Sequence, residues 1–484
     1  MSIHTAESLL ARIGHAARID GDRLAVVHEA DLRGELMDEL AFEAVFNADE
    51  SVRDACRWVI WSASQALGCP SASIHELYLA RGRGEFDPNG FTVPAINVRA
   101  STYLTARQAF AAAIERDAGA VVFEIAKSEM AYTDQRPAEY TAVILAAALR
   151  SGWHGPVFLQ GDHFQFNATK WRDDPDAEMA GLKDLTREAI AAGFLNIDID
   201  SSTLVDLSRP GVAAQQAVNA ANTVELTLLI RDLQPDGVVI GTGGEIGEVG
   251  KSNSTEEELR AYLDGYYSLI HGSGIPGLSK VSIQTGTSHG GVALPDGSIA
   301  AVSIDFDTLR RLSTVARDEY GVAGCVQHGA STLPDEAFHH FPANGAAEIH
   351  LATGFQNILY DEPGLPAELR AQMMGWCLAN CGDERKDGET DEQFLYKTRK
   401  KALGPFKRQL WTLSAEAQER ISANLRKRFG ILFDELQIGG TRALVDRYIA
   451  PPPLPRPLPP ALGGDQRTAV SAGAAVFEDD GSGE

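Results

Sequence analysis

Three histidines directly follow short apolar runs of the sequence, and each stands before a glycine or an aromatic residue. They are His163 in GDHFQ, His289 in TSHGG and His328 in QHGAST. Imidazole is a common zinc ligand, and a catalytic zinc ion usually takes three protein ligands and keeps one position open. If the apolar runs are strands that end together, these histidines form a candidate zinc site.

Acidic residues end other apolar runs in the same way. Asp162 precedes His163, Asp198 and Asp200 close the run FLNIDID, and Glu245 follows the glycines of GTGGE. Carboxylates near zinc orient the imidazole rings or hold a further cation. One such histidine alone is more often an ordinary polar residue, but three of them with acids alongside favour a metal site.

The neighbouring residues Asp162 and His163 present a geometric difficulty. Successive side chains of a regular strand point to opposite faces of the sheet. Both residues therefore serve one site only if the strand ends or bends where they stand.

Eight apolar runs alternate with helical segments between about residues 91 and 357. They are FTVPAINV, GAVVFEIA, GPVFLQGDH, FLNIDID, GVVIGTG, VSIQTGTSHG, GVAGCVQHG and AAEIHLATG. Strands joined by helices in this way are parallel, and eight of them close a TIM barrel whose active site lies at the carboxyl ends of its strands. We therefore predict an α/β fold, with a (β/α)8 barrel over residues 89–360. An open doubly wound sheet is the alternative, but no phosphate-binding fingerprint follows the first strand.

Segments outside the barrel differ in composition. Residues 1–88 and 361–450 carry apolar residues at helical spacing, which predicts helical additions at both ends of the barrel. Residues 451–484 are rich in proline, then in glycine, alanine and acids, which predicts an extended and largely disordered tail. The segment PLPRPLPP suits a polyproline-binding groove, although a spacer without a partner is the commoner interpretation.

The charge balance restricts the partners of this chain. Its 484 residues include 43 Lys and Arg against 67 Asp and Glu, a net charge of -24. Such a surface repels nucleic acid and anionic membranes, and no apolar run reaches the roughly 18 residues that span a bilayer. The first residues lack the apolar core of a signal peptide, and five scattered cysteines favour a reducing, cytoplasmic location. An anionic substrate then requires a locally positive site, such as a metal ion.

The stretch GTGGEIGEVGKSNS resembles a phosphate-binding loop of nucleotide enzymes but does not match its spacing. A P-loop has a glycine five positions before its Gly-Lys-Ser, and here Glu245 stands at that place. A carboxylate there repels the phosphates that the loop is meant to hold. We therefore assign Glu245 to the candidate metal site instead.

The motifs FTVPAINV, GDHFQ, GEIG, TSHGG and QHGAST occur in the order found in class II, metal-dependent fructose-bisphosphate aldolases, and the chain resembles that family over about residues 91–357. The resemblance implies that one Zn²⁺ per chain is held by His163, His289 and His328. Asp162 takes the role of the acid that exchanges a proton with the aldehyde oxygen. Asp200 and Glu245 support these ligands or hold an alternative second cation, divalent or monovalent.

The resemblance also implies a reaction. A ketose phosphate is cleaved reversibly to dihydroxyacetone phosphate and an aldehyde through a zinc-stabilised enediolate. The resemblance further implies that the chain forms a homo-oligomer, a dimer or a tetramer, and that its partner is this small sugar phosphate. The residues that match the phosphate-binding positions follow the last three strands: Gly290, Gly329, Ser331, Thr353 and, where the family has asparagine, His350.

Departures from the family pattern gather at substrate and base positions. Where the family places acids in the loop after strand five, this chain has Ser252 and Asn253. Glu248 or the run Glu256–Glu258 offers a substitute, although such a run is also typical of a charged first helical turn. Two alternatives stay open: a non-catalytic aldolase-like subunit that supports a partner enzyme, and another zinc TIM-barrel enzyme.

Overall fold

The computed structural model describes residues 3–247, 252–286, 294, 303–361 and 363–465. Within these ranges the chain forms a set of strands that we number along the sequence: β1 (Ala17–Asp20), β2 (Arg23–Val26), β3 (Ser71–Ala72), β4 (Val93–Asn97), β5 (Val122–Ala126), β6 (Val157–Gln165), β7 (Asn196–Asp200), β8 (Gly241–Glu245), β9 (Lys280–Ile283), β10 (Cys325–Gln327) and β11 (Glu348–Leu351).

Strands β4 to β11 form a closed parallel barrel. Each strand pairs with the next along the chain, β11 pairs with β4, and the pairing of β6 with β7 completes the ring. Nearly every residue of these strands is buried, because helices cover the outside and side chains fill the interior. The predicted TIM barrel is confirmed.

Helices surround the barrel and form most of the additions at its two ends. In chain order they are α1 (Ala6–Ile13), α2 (Glu29–Leu32), α3 (Glu35–Phe46), α4 (Glu50–Ala66), α5 (His75–Gly82), α6 (Thr102–Glu115), α7 (Lys127–Tyr132), α8 (Pro137–Arg150), α9 (Ala168–Asp173), α10 (Pro175–Ala192), α11 (Val212–Leu233), α12 (Glu256–Ile270), α13 (Phe306–Tyr320), α14 (His340–Ala343), α15 (Thr353–Tyr360), α16 (Ala367–Asn380), α17 (Asp391–Thr398), α18 (Lys407–Trp411), α19 (Ala415–Glu435) and α20 (Arg442–Tyr448). Among the described residues, no helix is both long and apolar enough to cross a membrane.

The segment before the barrel closes the amino-terminal ends of its strands. The Arg81 guanidinium on α5 donates to the carbonyls of Phe91 and Ala346 at 2.9 and 2.8 Å, and both residues lie just before barrel strands. The Tyr78 hydroxyl of the same helix donates to Glu348 inside the barrel. This segment also contains the antiparallel hairpin β1–β2, which the helical prediction for residues 1–88 did not include. The turn sequence Asp-Gly-Asp between two apolar alternations is its signal, with Gly21 at φ 62°.

The glycine-rich segment at the fifth barrel position is itself a strand. The predicted run GVVIGTG covers residues 237–243, whereas the observed strand β8 begins at Gly241 and ends at Glu245. A Cβ on Gly243 would lie 2.3 Å from Asp198 Oδ1 and 3.0 Å from Lys280 Cε. Glycine is therefore required here because a buried ion pair fills the space beside the strand.

Replacing Gly243 with alanine is expected to lower the free energy of unfolding by about 1–3 kcal/mol or to prevent folding, as overpacking of a buried site does. Urea denaturation followed by circular dichroism measures the change. Gly181→Ala is the matched control, because Gly181 lies in the middle of α10 with open space within 4 Å of the position that a Cβ would take. That substitution is expected to stabilise the protein by about 0.5–1 kcal/mol. Equal effects of the two changes would contradict the steric explanation.

The proline-rich segment at 451–465 is extended, as predicted, but it is not disordered. The indole N–H groups of Trp58 and Trp61 on α4 donate to the carbonyls of Arg456 and Leu454 at 3.1 and 2.8 Å. The Arg456 guanidinium lies 3.5 Å from the centre of the Trp61 ring and donates to the Ala192 carbonyl at 2.6 Å. The prediction of disorder was wrong for this segment, because composition alone does not show that α4 supplies its binding partners. The rest of the predicted tail, 466–484, lies outside the described residues.

Replacing Arg456 with alanine is expected to expose the segment to protease, since it removes the cation–π contact and the helix-end hydrogen bond, each worth about 1 kcal/mol. Limited proteolysis with mass spectrometry measures the cleavage rate within residues 451–465. Arg187→Ala is the control, because the Arg187 side chain is 49% exposed and pairs only with Asp184 among the described residues. Identical cleavage rates in both variants would contradict this role of Arg456.

Candidate active site

A bulge in β6 brings Asp162 and His163 to the same side of the strand. The pairing of β6 with β7 shifts register between Gly161 and Phe164, and His163 has a φ of 40°, in the left-handed region. Both side chains are buried in the barrel, with 3.9 Å between Asp162 Oδ1 and His163 Nε2. This is the bend that the sequence required. A non-glycine residue in this conformation costs about 1–3 kcal/mol and is often found at functional sites.

His163, His328 and Glu245 converge at the carboxyl ends of the barrel strands. Their nitrogen and oxygen atoms lie within 4.8 Å of one another, and all three side chains are buried. His163 Nε2 is 3.2 Å from His328 Nδ1, and His163 Nδ1 is 3.4 Å from Glu245 Oε2. Tetrahedral zinc with Zn–N bonds of about 2.0–2.1 Å separates its nitrogens by about 3.4 Å. The separation between His163 Nε2 and His328 Nδ1 is close to this value, so these two nitrogens fit one divalent cation, with Glu245 on the Nδ1 side of the His163 ring.

Asp200 fixes the orientation of the His163 ring. Its Oδ2 lies 3.0 Å from His163 Nδ1, and its Oδ1 accepts from the backbone and hydroxyl of Ser202 at 2.9 and 2.7 Å. Gln165 donates to the Oδ2 atom as well. Burial raises the pKa of Asp200, but the hydrogen bonds from His163 and Ser202 outweigh it and hold that pKa below its ordinary value. A charged carboxylate behind an imidazole sets its tautomer and strengthens it as a metal ligand.

The site carries an excess of negative charge. Burial, and then the charge of Asp200, raise the pKa of Glu245 to about 7. Burial alone lowers the pKa of His163, but Asp162, Asp200 and Glu245 raise it well above its ordinary value. Three carboxylates around one imidazole are the environment that a bound cation neutralises.

Ser331 and Thr353, two of the predicted phosphate-binding residues, lie together beside the loops after β10 and β11. The Ser331 hydroxyl accepts from the backbone N–H of Ala352 at 2.8 Å. Thr353 begins α15, and its hydroxyl accepts from the Arg99 guanidinium at 2.9 Å. Gly329 directly follows His328 and has a φ of 70°.

His350 does not lie with the predicted phosphate-binding residues, and that assignment is corrected. It is fully buried in the middle of β11. Carboxylate oxygens surround it at distances between 2.7 and 3.7 Å, from Glu124, Asp162, Asp198 and Glu348. A phosphate placed there would meet four acids. Burial alone lowers the pKa of the His350 imidazole, but Glu124 and Asp162 raise it well above its ordinary value.

The remaining predicted site residues divide into two groups. His289, predicted as a zinc ligand, and Gly290, predicted to bind phosphate, lie outside the described residues, as does Glu248. The acids at the start of α12 lie within the described residues, where Glu258 caps the helix and Glu256 pairs with arginines. Glu258 forms a capping box with Thr255, and Glu256 pairs with Arg260 and Arg311 at 3.1 and 3.2 Å.

Several polar residues of the barrel interior were not singled out from the sequence. Lys280 begins β9, and its ammonium donates to Gln160 and Asp198 at 2.8 Å each and to Glu348. Arg99 stands two residues after the first barrel strand and pairs with Glu129 at 2.7 Å. Glu124 and Glu348 were missed as well, and for these two the available signal was a charge within an otherwise apolar run, VVFEIA and AAEIHL.

Fold and site together define a TIM-barrel protein with a candidate metal centre at the mouth of its barrel. A family model described as Fructose-bisphosphate aldolase class-II matches residues 85–409. The chain therefore belongs to the class II fructose-bisphosphate aldolase family, which confirms the resemblance, and the family supports an aldolase-type function. A comparison with curated proteins finds no significant match.

Two solved structures with TM-scores of 0.51 and 0.50 show the same fold at low sequence identity. One, described as a probable tagatose 6 phosphate kinase from Sinorhizobium meliloti 1021, is 17% identical, covers 74% of this chain and 99% of its own, and has a TM-score of 0.51. The fructuronate-tagaturonate epimerase UxaE from Cohnella laeviribosi is 12% identical, covers 89% of this chain and 99% of its own, and has a TM-score of 0.50. A fructose-bisphosphate aldolase from Campylobacter jejuni is 16% identical, covers 75% and 92%, and has a TM-score of 0.42.

Proposed function

We propose that this chain is a zinc-dependent aldolase that reversibly cleaves a ketose phosphate to dihydroxyacetone phosphate and an aldehyde. The observation that carries the proposal is the convergence of His163, His328 and Glu245 at the barrel mouth, beside Asp162. Family membership supports the same conclusion independently of this geometry.

His163 and His328 would hold the metal ion, with Glu245 beside them and Asp200 orienting the His163 ring. When bound, zinc supplies a fixed positive charge next to the negative charge that develops as the carbon–carbon bond breaks, a contribution of several kcal/mol. Burial of these side chains keeps water away and so strengthens every interaction with that charge.

Asp162 is the residue to which we assign proton exchange with the aldehyde oxygen. It is buried next to His163 through the bulge, and its carboxylate lies 3.2 Å from His350 Nδ1. A carboxyl group in a buried, charged surrounding is well suited to general acid–base work.

The phosphate of the substrate is assigned to Ser331, Thr353 and the amino-terminal end of α15. Backbone N–H groups at the start of a helix favour an anion. The Arg99 guanidinium, whose charge is balanced by Glu129, donates to Thr353 and so supplies a hydrogen-bond donor to this side of the mouth.

The experiment that tests the function is a retro-aldol assay on a panel of ketose monophosphates and bisphosphates. Release of triose phosphate is followed with and without a chelator. The keto-uronates fructuronate and tagaturonate are included and followed by NMR, because the epimerase of similar fold is named for them.

Chelator-sensitive cleavage of at least one ketose phosphate is the result expected. Zinc-containing protein that cleaves no member of the panel would overturn the proposal and favour the non-catalytic subunit. Interconversion of the keto-uronates without triose phosphate would place the protein among other zinc TIM-barrel enzymes.

A further inference from the structure

Beneath the candidate metal centre, a second set of charged side chains fills the barrel interior, and the proposed reaction does not use it. Its members share nearly complete burial and mutual hydrogen bonds: Glu124, Gln160, Asp198, Lys280, Glu348 and His350. We call this set the inner network. Glu124, Glu348 and His350 have ligand atoms close enough to hold a cation.

Lys280 already supplies the cation of the inner network. Its ammonium has three donors, and they go to Gln160, Asp198 and Glu348. Asp198 and Glu348 raise the pKa of Lys280 although burial opposes them, so the group stays charged. The inner network is therefore a polar core with its own fixed cation, in which the three carboxylates of Glu124, Asp198 and Glu348 outnumber the single ammonium.

His350 joins this core to Asp162. Its Nε2 lies 2.7 Å from Glu348 Oε1, and its Nδ1 lies 3.2 Å from Asp162 Oδ1 and 3.1 Å from Glu124 Oε1. The opposite oxygen of Glu348 accepts from Tyr78 on the helix that closes the barrel. Nε2 of the ring thus faces Glu348, which Tyr78 holds, and Nδ1 faces Asp162 and Glu124, the latter accepting from Gln160 at 2.8 Å.

We propose that His350 is a positioning residue that holds the Asp162 carboxylate in the orientation needed for proton exchange. Asp162 stands at the bulge, next to the left-handed His163, where the backbone departs from regular strand geometry. His350 stands on the regular strand β11, in register with Ala95 of β4. A fixed ring therefore sets the direction of a side chain whose own backbone is irregular. This inference rests on the role proposed for Asp162.

A double-mutant cycle tests the proposal. Asparagine at position 350 cannot reach Asp162 and Glu348 together, so His350→Asn is expected to lower kcat by about 10- to 100-fold with KM changed less than about twofold. Bound zinc is expected to stay the same. In an Asp162→Asn background the same change is expected to add little, because the residue through which His350 acts is already lost. A full multiplicative loss in that background would overturn the proposal.

His75→Asn is the matched control, because His75 is 2% exposed and lies on α5 at the opposite end of the barrel. It is expected to lower the melting temperature while leaving kcat unchanged. An equal fall of kcat in both variants would show that loss of stability, and not positioning, explains the result for His350.

Crystal structures of wild-type protein and His350→Asn give a readout that does not depend on activity. The Asp162 carboxylate is expected to rotate or to occupy two orientations in the variant, and an unchanged orientation would overturn the positioning role. If wild-type protein cleaves no ketose phosphate, the proposed function fails, yet this comparison still decides whether His350 positions Asp162.

Discussion

Replacing His328 with alanine is expected to abolish chelator-sensitive cleavage and to remove most of the bound zinc. His328 faces His163 at 3.2 Å and is buried between the loops of the barrel mouth. Loss of one nitrogen from this donor set is expected to weaken zinc binding by about 100-fold or more. The rate is expected to fall by about 10³-fold or more, since a preorganised charge at the reacting centre is lost. Metal analysis by mass spectrometry and the retro-aldol assay measure the two effects.

The control for this prediction is His154→Ala, because His154 is exposed. It is expected to keep wild-type zinc content and activity. A His328→Ala protein that keeps one zinc per chain and full activity would contradict the assignment, and circular dichroism establishes that the variant is folded.

Replacing Asp162 with asparagine is expected to separate chemistry from metal binding. Asparagine keeps the size of the side chain but cannot take up or give a proton, so kcat is expected to fall by about 10²- to 10⁴-fold. Zinc content is expected to stay near that of the wild type, because the ligand atoms of His163, His328 and Glu245 converge without Asp162. Steady-state kinetics and metal analysis on the same preparation measure both quantities.

Asp184→Asn is the control, because the Asp184 side chain is 60% exposed and lies on α10, away from the inward-facing site residues. It is expected to change neither quantity. An Asp162→Asn protein with unchanged kcat would show that another group exchanges the proton. A loss of zinc equal to the loss of activity would make Asp162 a ligand instead.

The barrel was predictable because its signal is periodic and repeated. Eight apolar runs between helical segments dictate parallel strands, and Asp200, Glu245 and His328 could be placed at strand ends from the sequence alone. Those three residues lie at or directly after the ends of β7, β8 and β10.

The remaining features depend on contacts between distant segments. The bulge that turns Asp162 and His163 to one side is a shift of pairing between β6 and β7, which no local pattern reports. His350 has the same appearance in sequence as the other histidines, but its place within β11 points it into the inner network. The proline-rich segment is ordered because Trp58 and Trp61 of α4 meet it, far away along the chain.

Anomalous diffraction at the zinc absorption edge tests the central claim most directly, on crystals of the full chain grown with zinc. The metal centre proposed here predicts one strong peak within bonding distance of His163 and His328, and its disappearance in His328→Ala crystals. A map without a peak at these histidines, or with zinc only elsewhere on the protein, would contradict the account.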